Sequence, residues 1–197
     1  MGRLEAAVRE GYDRLIGLEL SDVAVDGCLT KASCGGEVSG RNPTGRGKLG
    51  IKRSTLVDAD GLPLGVVNAP ANRDDSPLLA LTSDLLKDLG PMPETTFVHL
   101  DAGYDSRLTR TLLAERGLQG AIAHKGLSAP IQVTRRWPVE RTHTWHNNFN
   151  KLARCTERAQ IVADFNIALA GTFVLVCRLL RQAWSLYRWG IRPGRRP

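Results

Sequence analysis

Two aspartates each close a short apolar run: Asp26 after Asp22-Val-Ala-Val, and Asp101 after Thr96-Phe-Val-His-Leu. Gly follows the first and Ala-Gly the second, which leaves room for a backbone phosphate to come close. A third acid, Glu140, opens a helical stretch between Arg136 and Arg141. Acids at two strand ends and on one nearby helix suit in-line attack on a phosphodiester. Two divalent metals held about 3.5–4 Å apart by carboxylates can activate the nucleophile, stabilise the leaving oxygen and neutralise phosphate charge. Mg2+ fits because it binds through one or two carboxylates and otherwise keeps water and phosphate oxygens. Each acid also has a plainer account. An aspartate that ends a strand serves as a turn or cap residue, and a glutamate in a first helical turn is favoured by the helix dipole.

The elements that must hold these acids follow along the chain. Residues 3–17 space their apolar positions as a short lead-in helix, and Asp22 to Asp26 is a short buried strand. Cys34 to Gly50 holds six glycines and Pro43 and is expected to be a loop. It carries Arg41, Arg46 and Lys48, opposed only by Glu37, and has no Gly-Lys-Ser/Thr. It therefore reads as a mobile basic loop for DNA contact, not a phosphate-cradling P-loop. Gly50 to Asp58 and Leu62 to Val67 form a hairpin about the turn Asp58-Ala-Asp-Gly61. A helix starts at Asp74-Asp-Ser-Pro77, with Leu78, Leu79, Leu81, Leu85, Leu86 and Leu89 as its buried side. Then come a strand at 96–101, a helix from Arg107 to Arg116 stopped by Gly117, a short strand at 121–123, and mainly helix over 138–187. Three sequential strands followed by helix, strand, helix, strand predict an α/β fold, a mixed sheet flanked by helices.

The formal net charge is +7, and it is unevenly placed. From Arg135 onward there are twelve Lys/Arg against three acids, whereas residues 1–134 carry fifteen bases and seventeen acids. Excess positive charge at one end suits a polyanion, nucleic acid or an anionic membrane surface; solubility alone is the plainer reading. The four cysteines form no CxxC pair and no His/Cys cluster, which argues against zinc and for reduced cytosolic thiols. The most apolar stretch, Ile167 to Cys177, is short for a bilayer and is followed by Arg178, so a packed amphipathic helix is expected and no membrane association.

Six blocks carry a resemblance. Val25-Asp-Gly-Cys-Leu-Thr-Lys-Ala32, Gly47-Lys-Leu-Gly-Ile-Lys-Arg53, Leu56-Val-Asp-Ala-Asp-Gly-Leu-Pro-Leu64 and Ala71-Asn-Arg-Asp-Asp-Ser76 resemble consecutive blocks of bacterial insertion-sequence DDE transposases. So do His99-Leu-Asp-Ala-Gly-Tyr-Asp-Ser106 and Arg136-Trp-Pro-Val-Glu-Arg-Thr-His-Thr-Trp145, and the order is the family's over about residues 20–190. The resemblance implies a ribonuclease H-like catalytic domain over 21–190, a lead-in segment 1–20 and a basic tail 191–197, with the C-terminal portion helical and basic. It implies Asp26, Asp101 and Glu140 as the catalytic triad holding two Mg2+ or Mn2+ ions. The family's reaction is hydrolysis at the element end, then attack of the freed 3′-hydroxyl on target DNA.

The expected partners are double-stranded DNA and further copies of the chain in a homo-oligomeric active complex, in the bacterial cytoplasm at the nucleoid. Arg41, Arg46, Lys48, Lys125, Arg136 and Arg141 are the candidate DNA contacts; Arg141 could instead pair with a carboxylate, and Lys125 could simply be solvated. Tyr104 is expected to pack over its loop, Trp145 to join the core and His143 to lie on a helix surface. Two features depart from the family pattern. Pro138 stands where an apolar or basic residue is usual, and residues 1–20 contain no helix-turn-helix for recognising terminal repeats. The alternative expectation is therefore a truncated, catalytically inactive remnant that binds DNA nonspecifically.

Overall fold

The structure, a computed structural model, describes residues 2–124 and 137–186. Helix α1 (Gly2–Leu15) leads into strands β1 (Asp22–Ala32), β2 (Gly40–Arg41), β3 (Leu49–Asp58) and β4 (Pro63–Pro70). Helix α2 (Asp75–Asp84) runs into a 3-10 turn, Leu85–Asp88, and is followed by β5 (Phe97–Leu100), a second 3-10 turn (Ala102–Tyr104), α3 (Arg107–Glu115) and β6 (Gln119–Ile122). After residue 136 come α4 (Trp137–Asn147), α5 (Asn150–Ala153), β7 (Arg154–Cys155) and α6 (Gln160–Leu186).

The strands form one mixed sheet. β3 pairs antiparallel with β1 and β4, while β1, β5 and β6 run parallel to one another, so the main body reads β4-β3-β1-β5-β6. Three antiparallel strands continued by two parallel ones, helices on both faces, are the ribonuclease H-like arrangement the sequence order implied. On one face Val23, Val25, Leu56, Leu79, Leu86, Leu100, Tyr104 and Leu113 gather α2 and α3 against the sheet. On the other, Val139 of α4 packs on Ala24 and Val57. Tyr12, Leu62 and Leu175 tie α1 and α6 to the hairpin tip. That tip closes on Asp58, whose Oδ1 accepts from the amides of Asp60 and Leu62, with Gly61 at φ 76°.

Several expectations are corrected. β1 does not end at Asp26; its antiparallel pairing with β3 carries it to Lys31, and β7 pairs with Ala32. The glycine-rich stretch is not all loop, since Gly40 and Arg41 pair with Gly50 and Leu49, and Asn42 closes the turn by accepting from Gly45 and Gly47. Leu81 is 56% exposed, because α2 turns Leu78, Leu79 and Thr82 inward and Thr82 donates to the Ser54 hydroxyl. β7 interrupts the helical C-terminal region to pair with Lys31 and Ala32. Helix α6 reaches 27 residues, and its length and hydropathy alone would suit a membrane span. One side of it packs through Ala163, Ile167, Ala170 and Leu175. The tail 191–197, Lys125 and Arg136 lie outside the described residues.

Candidate active site

Among the described residues, the edge of β1 that faces β5 is paired only at its two ends: Asp22 to Ala24 with β5, and Lys31 to Ala32 with β7. Asp26 lies in the opening between them. Continuing the β1/β5 register two residues beyond Ala24↔His99 sets Asp26 alongside Asp101. Neighbouring strands run about 4.8 Å apart, so these two carboxylates belong to one cleft. β5 ends at Leu100, and Asp101 caps the following 3-10 turn by accepting from the Gly103 amide at 2.7 Å.

Glu140 comes from the helix above. α4 starts at Trp137, where Pro138 costs little because amides of the first turn have no intrahelical partner. Val139 seats the helix on β1 and β3, and the Thr142 hydroxyl donates to the Gly61 carbonyl at the hairpin tip. Glu140 is left exposed in the first turn. Its presence is felt by Asp26, whose carboxyl is pushed up to about 6. Burial is the largest cause; the Gly27 amide, which donates to Asp26 Oδ1 at 2.7 Å, opposes it, and the charges of Asp101, Asp75 and Glu140 add to it. Asp101, Asp75 and Glu140 are thus near enough for their charges to act on Asp26; the type and spacing of Asp75 gave no sign of this.

Around them the burial is unusually polar. Tyr104 is 1% exposed, packed as expected, and its hydroxyl is held well above its ordinary range, first by burial and then by Asp75, Asp26 and Asp101. His143 was expected on the helix surface. It is 8% exposed and points under α4, because positions 139, 142, 143 and 146 form the face that meets the sheet. Burial and then Arg53 lower its imidazole to about 4. Arg53 itself is 2% exposed and donates to Asn147 Oδ1 at 2.6 Å.

The basic residues divide. Arg41, Arg46 and Lys48 are exposed on the β2 turn. Thr55 pairs with Asp26 and Gly50 with Lys31, so that turn lies five residues farther along β3, roughly 15 Å from the acids at strand rise. Arg141 donates to the Asp60 carbonyl and lies over the Trp145 ring, 5.3 Å from its centroid, with Arg178 at 5.7 Å. Trp145 is accordingly half-buried and not a full core residue.

Oxygen donors from three carboxylates suit a hard divalent cation, and their mutual repulsion at Asp26 is what such a cation would relieve. Among the described residues no three His, Cys, Asp or Glu close into a single-ion cage. Mg2+ does not require one, since it is held by one or two carboxylates with water completing the shell. Carboxylate oxygens are the donor chemistry that would suit Mg2+ or Mn2+.

The chain is similar to known proteins over most of its length. The family described as "Transposase DDE domain" matches residues 19–175. A putative transposase for insertion sequence element IS402 of Burkholderia cepacia is 31% identical over 166 residues, which cover 81% of this chain and 76% of that protein. Among solved structures, the piggyBac transposase synaptic complex with hairpin DNA superposes at a TM-score of 0.51 and 10% identity, over 82% of this chain. This chain spans about half of that one, 48%. The catalytic domain of Mos1 mariner transposase gives 0.45 and 13% identity over 93% of this chain and 90% of its own.

Proposed function

We propose that this chain, which belongs to the DDE transposase family, is the catalytic core of an insertion-sequence transposase that cleaves double-stranded DNA at the element ends and joins the freed ends to target DNA. The observation that carries the reading is the β1/β5 register that sets Asp101 alongside Asp26, with Glu140 on α4 near enough for its charge to act on Asp26. These three acids would hold two Mg2+ or Mn2+ ions. When bound, such ions supply Lewis-acid stabilisation of the phosphate and lower the proton affinity of the attacking water or 3′-hydroxyl. The chain's own work is placement. The Gly27 and Gly103 amides each take one oxygen of Asp26 and Asp101, which fixes both carboxylates in the cleft. α4, locked by Val139 and Thr142, carries Glu140 in its first turn, and the charge of Glu140 acts on Asp26.

Arg41, Arg46, Lys48 and Arg141, with Lys125 and Arg136, are the proposed contacts to DNA phosphates, and the active assembly is a homo-oligomer in the bacterial cytoplasm at the nucleoid. The test is nicking and strand joining, in Mg2+ or Mn2+, on DNA carrying the element's own ends, with Asp101→Asn as control. Activity in the wild type that vanishes in the variant supports the reading. Salt-sensitive DNA binding equal in both, with no cleavage by either, overturns it in favour of a remnant that binds DNA without cutting it.

A further inference from the structure

Two of the family-like blocks, Gly47–Arg53 and Ala71–Ser76, supply no acid to the triad, yet they meet beside it. Lys52 of β3 places its Nζ 3.0 Å from Oδ1 of Asp75, the first residue of α2. Lys52 is 9% exposed, and the Asp75 side chain 38%. The pair presses on Gly27. A Cβ built at Gly27 would collide with Asp75 Oδ1 and stand 3.7 Å from the Lys52 stem. No residue larger than glycine fits there without displacing the carboxylate. Gly27 is also the residue whose amide holds Asp26 Oδ1. The chain of contact is short: Lys52 holds Asp75, Asp75 sits on Gly27, and Gly27 holds the catalytic carboxylate.

Helix propensity does not account for the pair. An acid in the first turn of α2 interacts favourably with the helix dipole, but Asp74, the preceding N-cap, supplies a second acid at the same end. A lysine stem buried to reach a half-exposed carboxylate adds little stability by itself. What distinguishes Asp75 is its location. Its charge bears on Asp26 and, with those of Asp26 and Asp101, on the buried Tyr104 hydroxyl.

We propose that the Lys52–Asp75 pair sets the net charge that a divalent cation meets at the Asp26 carboxylate, with Lys52 holding Asp75 against Gly27 beside it. The inference rests on the proposed metal-dependent function. It makes Lys52 and Asp75 positioning residues that act through Asp26, with no direct contact to the scissile phosphate.

The two single variants separate charge from packing. Both break the same ion pair, so a purely structural role shifts both the same way. Their electrostatic effects are opposite: Asp75→Asn leaves an uncompensated ammonium beside the site, and Lys52→Met an uncompensated carboxylate. The experiment is Mn2+ binding to the full chain, followed by loss of the free Mn2+ electron paramagnetic resonance signal, with thermal unfolding run in parallel. Asp75→Asn is expected to weaken Mn2+ about tenfold and Lys52→Met to tighten it, as partners behind metal ligands commonly change affinity on that scale. The double variant returns towards wild type, and Lys52→Arg, which keeps the charge, matches it. Should Asp75→Asn fail to fold, Asp75→Ser tests the same sign. Both single variants weakening Mn2+, or neither changing it, overturns the proposal. Binding abolished in Asp101→Asn but unmoved in Asp75→Asn overturns it alone. No Mn2+ binding in the wild type, or binding indifferent to Asp101→Asn, overturns the functional reading and this proposal with it.

Discussion

The Nε2 of His143 stands 3.8 Å from Oδ2 of Asp26, across the seam between α4 and β1. Glu140 lies one helical turn earlier on α4, and its charge also acts on Asp26. Asp26 is thereby approached by Gly27 at one oxygen and by His143 at the other. His143→Ala is expected to cut metal-dependent DNA nicking by about 10- to 100-fold, the usual effect of losing a group that orients a metal ligand. The loss should appear at saturating DNA and be partly restored by His143→Asn. Equal nicking by the alanine variant would reduce His143 to packing.

His143 and His146 carry a signature in stability against pH. Burial and the nearby Arg53 lower the first to about 4 and the second to about 3, against an ordinary 6.5. In the unfolded chain both protonate near 6.5, so the unfolded state binds more protons between that value and the folded ones. Stability contributed by each neutral ring is therefore present above pH 6.5 and lost as pH falls towards 4. The slope is about 1.4 kcal/mol per pH unit for each histidine inside the window. His146→Leu should remove one such slope from chemical-denaturation curves taken between those limits. Unchanged steepness in the variant would show that the ring is not buried neutral.

Asp58 behaves in the opposite sense. Its carboxyl is pushed up to about 6, first by burial and also by Asp60, against the amides of Leu62, Glu19 and Asp60 as they act on it. A raised carboxyl makes the folded state the better proton binder between 3.8 and about 6, so stability falls as pH rises through that range. Asn can keep the Oδ1 contacts to the amides of Asp60 and Leu62 without the charge. Relative to wild type, Asp58→Asn should gain about 2–3 kcal/mol on going from pH 4 to pH 8, the work of ionising the buried acid. A pH-independent difference between the two proteins would refute the buried-charge account.

What the sequence disclosed depended on where side chains face. The strand and helix order was readable because Asp58–Gly61, Ser106 and Gly117 are local punctuation, and each acts as such: a tip closed by Asp58, a cap accepted by Ser106 from Thr109, a left-handed Gly117. The full length of β1 was not readable, because Gly27 to Ala32 is held as strand by its neighbours β3 and β7 and not by its own alternation. β3 hides its faces for another reason. It is covered by helices on both sides, so Lys52, Arg53, Ser54 and Thr55 are all buried and apolar periodicity fails. Buried polar stripes, His143 and His146 on α4 above all, look like surface when hydrophobicity is the only guide. A spacing of three from Glu140 was the available signal. Asp75 was legible only as part of a family-like block, since its nearness to Asp26 is made by tertiary packing against Gly27.

The turn bearing Arg41, Arg46 and Lys48 yields the last prediction. Its three cations are exposed, and the Asn42 backbone pairs with Gly45, Gly47 and Lys48, so the charges are presented on a closed turn. Lying roughly 15 Å along the sheet from Asp26, the turn would meet DNA flanking the cut and not the scissile phosphate itself. Neutralising all three to alanine should weaken binding to any duplex about equally, specific or not, because phosphates carry no sequence. The slope of log affinity against log salt should fall by about 0.9 for each phosphate no longer neutralised, up to nearly 3 for the triple variant. Cleavage at saturating DNA should survive, because the acids and their supporting amides are untouched. A triple variant with wild-type salt dependence would place the DNA elsewhere, and loss of cleavage at saturation would mean that the turn reaches the cut.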